Sequence, residues 1–415
     1  MSEAGTEITA GGLGLPEGRL TDELIAKARE MVGLKLRPER YVQQATLDTL
    51  TNFVNGIGDL NPLYRDREYA RWTRHEGLVA HPCFIYARHW PGRSRYGLPG
   101  IHGFYAGNDI EWFRAIRPGD ETHCLERMIA LEEKESRFSQ RLVLQYVEAI
   151  YTNQRDDLVA RVIGWCTRHE RRAAREQKKY GDVPPRHEYP PEALDAIEAE
   201  GLAERSRIRG GETRYWEDVA VGEELPPIVR GPLSMMDMMG WLVGTGRART
   251  HGVLLEEARR HPLHYFRNPE ASGGVEYTGI GHHRDAVAQQ VGVPGTYDYG
   301  PQRTSWMASL VTNWMGDDAF LKRLRVETRR FNVVGDTTWV RGRVVRKYLE
   351  KGYPLVDLEL RAENQRGEAT APGEATVMLP SRDVTTEPVI DGRDLRLRRG
   401  WPAAAGNGHT GKAGG

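Results

Sequence analysis

The sequence is short of cysteine, of net charge and of long apolar runs, and each shortage removes a class of answer. Three cysteines occur in 415 residues: Cys83, Cys124 and Cys166, odd in number and widely spaced. They supply neither a disulfide framework nor the paired spacing of a zinc site, and they fit reduced thiols in a cytoplasmic protein. Thiols of this kind are ordinarily small buried hydrophobes, so none is read as a nucleophile. Lysine plus arginine and aspartate plus glutamate balance at 58 each. No global field therefore invites nucleic acid or an anionic membrane surface as partner. No run approaches the roughly 18 apolar residues of a membrane-spanning helix, and the start "MSEAGTEITAGGLG" has no signal-peptide h-region.

What is present is length enough for two or three domains. Residues 1–39 read as an N-terminal extension, Gly-rich and mobile over 1–18, with a helix over 20–31 that Thr21 opens as N-cap. Leu47, Leu50, Val54 and Ile57 recur at helical spacing and predict a helix over 44–57. "REYARWTRHEG" reads as a short helix closed by Gly77. Residues 106–166 then turn to strands separated by hairpin-like "RPGD" and "NQRDD". Residues 168–213, strongly charged and then Pro-rich, read as an interdomain linker with a polar helix near 191–205. The basic cluster of that linker reads as a solvated face. A second globular segment fills 214–380, and 381–415 reads as a disordered tail.

The two strand regions echo each other. Arg117–Arg161 and Val333–Ala375 both run Gly-Asp-x-Thr, long strand, charged hairpin, long strand, Asn-Gln-Arg. Long strands joined by short turns mean antiparallel sheets. An apolar helical stretch, 44–57 or 232–244, precedes each copy, which predicts a sheet wrapped around that helix. Matched features in matched order point to duplication and a pseudo-twofold pair.

"GDLNPLYRDREYA", followed by "GLVAHP" and "NDIEWFRAIRPGD", resembles the MaoC-like acyl-CoA dehydratase and (R)-specific enoyl-CoA hydratase family, which has the hotdog fold. "HHRDAVAQQVGVPGTYDYGPQR" resembles the later part of the same signature. The likeness spans about 40–167 and 214–380 and implies an α+β chain of two tandem hotdog domains, each an antiparallel sheet around a central helix. The family's chemistry uses a carboxylate and an imidazole to handle water at the β-carbon of an enoyl thioester. A backbone N–H at a helix N-terminus polarises the thioester carbonyl.

Carried over position by position, the first copy offers Asp59 and Asn61 at the acid and amide positions. Tyr64 stands at the imidazole position and Pro82, which has no N–H, at the glycine position. The second copy offers His283 as the imidazole, with Asp285 two residues on, and Gly300 as the amide donor. Thr278 takes the place of the acid, and an insertion of about 247–281 separates helix from histidine. Three readings stay open. The second copy is active with Glu270, Glu276 or Asp285 as replacement acid; or the first is active with Tyr64 as proton donor beside Asp59; or neither works alone. The second copy is preferred because it keeps both His283 and Gly300.

Arg303 in "YGPQR" suits a phosphate or carboxylate anchor and equally a buried ion pair. His81 stands at the Ala-His position. Arg93 and Arg95, interleaved with Trp90 and Tyr96, suit the phosphates and adenine of coenzyme A. Of the adjacent His282 and His283, the second is assigned to the pocket. Trp306 and Trp314 suit packing.

The resemblance thus implies reversible hydration of 2-enoyl-CoA or dehydration of 3-hydroxyacyl-CoA. Neither metal nor redox cofactor is expected, and coenzyme A enters as part of the substrate. The chain is expected to form a homodimer or to join a partner hotdog subunit. The rival readings are a hotdog acyl-CoA thioesterase and a catalytically degenerate acyl-CoA-binding subunit.

Overall fold

The structure, a computed structural model, describes residues 9–92, 96–136, 140–177 and 186–383. Ten strands form one antiparallel sheet in the order Lys35–Leu36, Thr122–Ser136, Gln140–Asn153, Leu158–His169, His102–Trp112, Phe320–Glu327, Ala369–Met378, Tyr353–Asn364, Thr338–Glu350, Ile228–Arg230. The seam lies between His102–Trp112 and Phe320–Glu327, paired from Arg323 opposite Glu111 to Glu327 opposite Gly107. Counted in chain order within each half, the strands run 2-5-4-3-1 outward from this seam on both sides. The duplication read from the sequence is therefore a duplication of topology.

The repeated triplet has a physical explanation. Asn153 Oδ1 accepts the N–H of Arg155 (2.9 Å) and of Asp157 (3.0 Å), closing the hairpin after its strand. Asn364 Oδ1 accepts from Arg366 (3.0 Å) and Glu368 (3.1 Å) in the same way. The following glutamine reaches the aspartate of Gly-Asp in both copies: Gln154 Nε2 to Asp120 Oδ1 at 3.1 Å, Gln365 Nε2 to Asp336 Oδ1 at 2.6 Å. Side-chain mimicry of a turn hydrogen bond is what Asn supplies here, and the two repeated motifs are bonded to each other.

The central helix differs from the expectation. In the second half the sheet packs on Gly300–Met315, every residue of which is buried, and not on 232–244. In the first half the short stretch Pro82–Phe84 and Ile85–Arg88 is buried in the corresponding place. The two predicted helices form as Leu47–Ile57 and Met235–Gly244 but pack against each other. Met236, Met239 and Val243 on the second remain exposed. Apolar periodicity marked amphipathic helices, which cover a core with one face. The enclosed helix carries Gln302, Arg303, Thr304, Ser305, Ser309, Thr312 and Asn313, and so gives little apolar signal.

Other boundaries moved as well. Thr9–Ala10 pairs with Pro16–Glu17 within the stretch expected to be mobile. The helix expected over 67–77 stops at Arg71, where the Thr73 hydroxyl takes the Ala70 carbonyl at 2.7 Å. The linker is structured: the last strand of the first half continues to His169, and Arg171–Gln177 and Pro191–Arg207 are helices. Of the expected tail, only 381–383 belongs to the described residues. All three cysteines are free and buried.

Leu47–Ile57 and Met235–Gly244 meet through glycines. A Cβ on Gly56 would stand 2.4 Å from the Gly240 carbonyl oxygen. Gly56→Ala is expected to lower stability by about 1–3 kcal/mol, because backbone has to move aside. Gly201 in Pro191–Arg207 has its nearest neighbour at 3.6 Å, so Gly201→Ala should stabilise by about 0.5–1 kcal/mol through helix propensity. Denaturant melts of the two variants check both signs.

Candidate active site

The first-half motif builds a turn before it builds anything else. Leu47–Ile57 ends at Gly58 in the left-handed conformation (φ 68°), and the Asp59 N–H returns to Val54 O at 3.0 Å. Asp59 Oδ1 accepts the Asn61 N–H (2.8 Å), and Asn61 Oδ1 caps the next turn through Leu63 N–H (3.1 Å). The other carboxylate oxygen, Oδ2, accepts the Ser309 hydroxyl of the central helix at 2.5 Å. His81 Nε2 stands 3.3 Å from that hydroxyl and 3.7 Å from Asp59 Oδ2. The Cys83 N–H donates to His81 Nδ1 at 3.1 Å, so the neutral ring carries its proton on Nε2, facing Ser309 and Asp59.

This cluster is closed. Asp59, Asn61, Tyr64, His81 and Ser309 are all buried, and the cavity beside Tyr64 and His81 holds about 60 Å³. That is room for a few waters and not for an acyl chain. Burial pulls the His81 pKa down to about 4, against the opposing pull of Asp59. Burial, and then Asp59, pushes Tyr64 well above its usual value, which makes it a poor acid.

The second half opens onto a cavity of about 700 Å³, the size of a small-molecule site. Gly300, the first residue of the central helix, lines it. Among the described residues no acceptor takes the Gly300 N–H, and Pro301 has none to offer. A Cβ on Gly300 would meet Tyr105 Cδ1 at 2.3 Å, so only glycine lets the Tyr105 ring lie over this helix end. Tyr105 is held in turn by Asn108, whose Oδ1 accepts the hydroxyls of Tyr105, Tyr86 (2.9 Å) and Thr304 (3.1 Å).

His282, Tyr297 and Tyr299 line the same cavity. The His282 ring stacks on Tyr299, centroids 3.8 Å apart at 26°, and its Nδ1 is 2.9 Å from the Tyr297 carbonyl. A carbonyl only accepts, so Nδ1 bears the proton and Nε2 is the basic nitrogen of the neutral ring.

Residues 30–162 match the family model of the FAS1-like dehydratase domain region. A solved structure described as a MaoC-like dehydratase shares 16% identity, with 85% of this chain and 99% of that one aligned at a TM-score of 0.58. The MaoC-like dehydratase of Phytophthora capsici shares 12% identity over 86% and 99% of the two chains, TM-score 0.48. A Mycobacterium tuberculosis protein described as a double hotdog shares 13% over 83% and 96%, TM-score 0.47. No curated protein matches the chain in sequence. The chain has the double hotdog fold.

Within this double hotdog the positions named from the sequence are divided. Asp59, Asn61, Tyr64 and His81 come together, in the closed half. Gly300 is on the open cavity, but the histidine facing it is His282. His283 stands behind, its Nε2 3.1 Å from the Tyr299 hydroxyl, and burial, followed by the charge of Arg284, lowers its pKa below the usual 6.5.

None of the replacement acids reaches the cavity. Asp285 is exposed and its carboxylate accepts the Thr296 N–H at 2.7 Å. Glu276 pairs with Arg284 at 2.6 Å, and Glu270 is exposed. Thr278, at the acid's position, does line the cavity. Arg303 lines the cavity as half of a buried ion pair with Asp298 (2.5 Å), and the Arg330 and Thr370 carbonyls accept from its Nη1. Arg93 and Arg95 lie outside the described residues, while their neighbours Trp90 and Tyr96 line the cavity.

Sequence reasoning passed over Ser309, Glu204 and the place of the first helix at the cavity. Glu204 of the supposed linker is buried, pairs with Arg230 (2.5 Å) and accepts from Asn313 Nδ2 (3.1 Å). Asp22–Arg29 and the residues after it place Leu24, Lys27, Met31 and Leu34 on the cavity wall. The Thr21 cap, which accepts the Leu24 N–H at 3.1 Å, was legible, but its destination was not. Among the described residues no group of His, Cys, Asp and Glu is arranged to hold a metal, and no helix is long and apolar enough to cross a membrane.

The buried histidines set an acid limit on stability. The pKa falls to about 4 in His81 and about 3 in His169, and far below the usual value in His102, in each case chiefly by burial. The folded state then binds fewer protons than the unfolded chain between those values and about 6.5. Stability should be full above about pH 6.5 and fall on acidification, with His81 alone contributing on the order of 3 kcal/mol by about pH 4. Thermal melts across this range should show a flat upper limb and a declining lower one.

Proposed function

We propose that the chain hydrates 2-enoyl thioesters of coenzyme A, or dehydrates the corresponding 3-hydroxyacyl thioesters, in the second-half cavity. One observation carries this reading: the N-terminus of a wholly buried helix, with the Gly300 N–H, opens onto a cavity that His282 and Tyr299 also line. The thioester oxygen accepts from Gly300, where the helix dipole favours the negative charge that develops as the enolate forms. Water adds its oxygen to the β-carbon while His282 Nε2 takes one of its protons, and that proton then passes to the α-carbon, which returns His282 to its neutral form. The balance is one water across one double bond, with no oxidation or reduction. Tyr299, held by His283, holds the water from its other side, which makes His283 a positioning residue.

A second reading rests on Thr278, which stands at the acid's position on the cavity wall. On that reading the chain binds the acyl thioester, and a partner hotdog subunit or a second copy of this chain completes the chemistry.

Adding the protein to 2-enoyl-CoA should remove the enoyl absorbance and release no free thiol, whereas a thioesterase would release it. His282→Ala should lower kcat by about 10²–10⁴. His283→Ala should lower it less and displace the acid limb of the pH profile. Asp59→Asn should retain turnover in whatever fraction folds. Binding without turnover favours the second reading, and a full rate in His282→Ala overturns the site assignment.

A further inference from the structure

Two arginines of the basic run that begins at residue 168 turn inward, while Arg172 stays exposed as the solvated-face reading expects. Arg168 is 1% exposed, with Nη1 on Gln145 Oε1 (2.6 Å) and Nη2 on the carbonyls of Leu98 (2.7 Å) and Ile101 (3.0 Å). Arg171 is 4% exposed; its Nη1 reaches the carbonyls of Pro16 (2.5 Å) and Gly100 (2.9 Å), and its Nε meets no acceptor. Among the described residues neither arginine forms an ion pair. The carboxylates nearby are committed: Glu17 to Arg175 at 2.8 Å, Glu170 to the Leu20 N–H at 2.7 Å, Asp298 to Arg303. Burial lowers both guanidinium pKa values only to about 10, so both charges persist at neutral pH. A buried charge without a counter-charge is costly, and structures ordinarily pair it.

Arg171 faces the large cavity together with His102. His102 is 8% exposed and its Nε2 has no hydrogen-bond partner. A line of rings connects this pair to the helix end. His102 packs on Phe104 (4.7 Å), Phe104 on Tyr297 (6.0 Å), Tyr297 on His282 (4.2 Å) and His282 on Tyr299 (3.8 Å), next to Gly300.

We propose that Arg171 and His102 bind a carboxylate on the acyl group, remote from the thioester, so that the site takes half-thioesters of dicarboxylic acids. The inference rests on the reading above in one respect, that the thioester lies at Gly300. The phosphates of coenzyme A offer the same anionic chemistry, but they carry several charges and stay hydrated. Two side chains each more than nine-tenths buried suit a single carboxylate, which one guanidinium neutralises and a neutral imidazole completes.

Calorimetric titration of the intact protein with N-acetylcysteamine thioesters, which lack phosphate, tests this directly. A thioester with a terminal carboxylate should bind roughly 10- to 100-fold more tightly than its methyl ester, and Arg171→Gln should erase the difference. Equal affinities in the unaltered protein overturn the proposal without any variant having to fold. Equal affinities together with weaker binding of ADP or free coenzyme A to Arg171→Gln assign the pair to the carrier's phosphates and also overturn it. A carboxylate preference without turnover supports this proposal while the hydratase reading fails; turnover without a preference does the reverse.

Discussion

A helix enclosed on all sides, yet studded with polar side chains, constrains the rest of this molecule. Each buried donor or acceptor left without a partner costs about 1–3 kcal/mol, and Gly300–Met315 gathers its partners from the whole chain. Ser309 bonds Asp59 and Trp306 donates to the Ile57 carbonyl, both in the first half. Gln302 reaches the Asp237 carbonyl and Asn313 reaches Glu204 of the connecting helix. Neither the second half alone nor the two halves without their connector would satisfy this helix. Together with the continuous sheet across the seam, these bonds make the duplicated halves one structural unit.

The same bonds account for the unequal fates of the two sites. Asp59, Asn61 and His81 keep the residue types of a water-handling centre, but they are spent on a turn and on the flank of the central helix. Pro82 could not polarise a thioester, and the Pro82 carbonyl is itself taken by Trp112 Nε1 at 2.9 Å. The first half fixes the helix whose far end presents Gly300, and it also supplies His102 and Tyr105 to the wall of the large cavity. The second half retains the open end, with Tyr105 of the first half laid over it.

Charge sharpens the contrast. On a chain with no net charge, the cavity wall contains a buried guanidinium whose partners are carbonyl oxygens, beside an imidazole with an unfilled nitrogen. Around the closed cluster, Asp59 and Arg230 are held within bonds to Ser309 and Glu204. Arg171 faces the large cavity without a carboxylate partner among the described residues.

The sequence by itself determined whatever depends on neighbours along the chain. The Asn-Gln-Arg hairpins, the alternating strands, the Thr21 cap and the turn of Asp59, Asn61 and Pro62 were all legible, because each is closed by bonds over a few residues. The repeat and the MaoC-like motif carried the fold for the same reason. Only the tertiary structure decided which helix became the core, because a polar helix is buried on the strength of partners about 100 to 250 residues away. It alone decided that His282 and not His283 faces the cavity, since adjacent side chains diverge according to a backbone that packing sets. It alone turned Arg168 and Arg171 inward, since a run of charges reads the same whether water or a cavity lies beyond it.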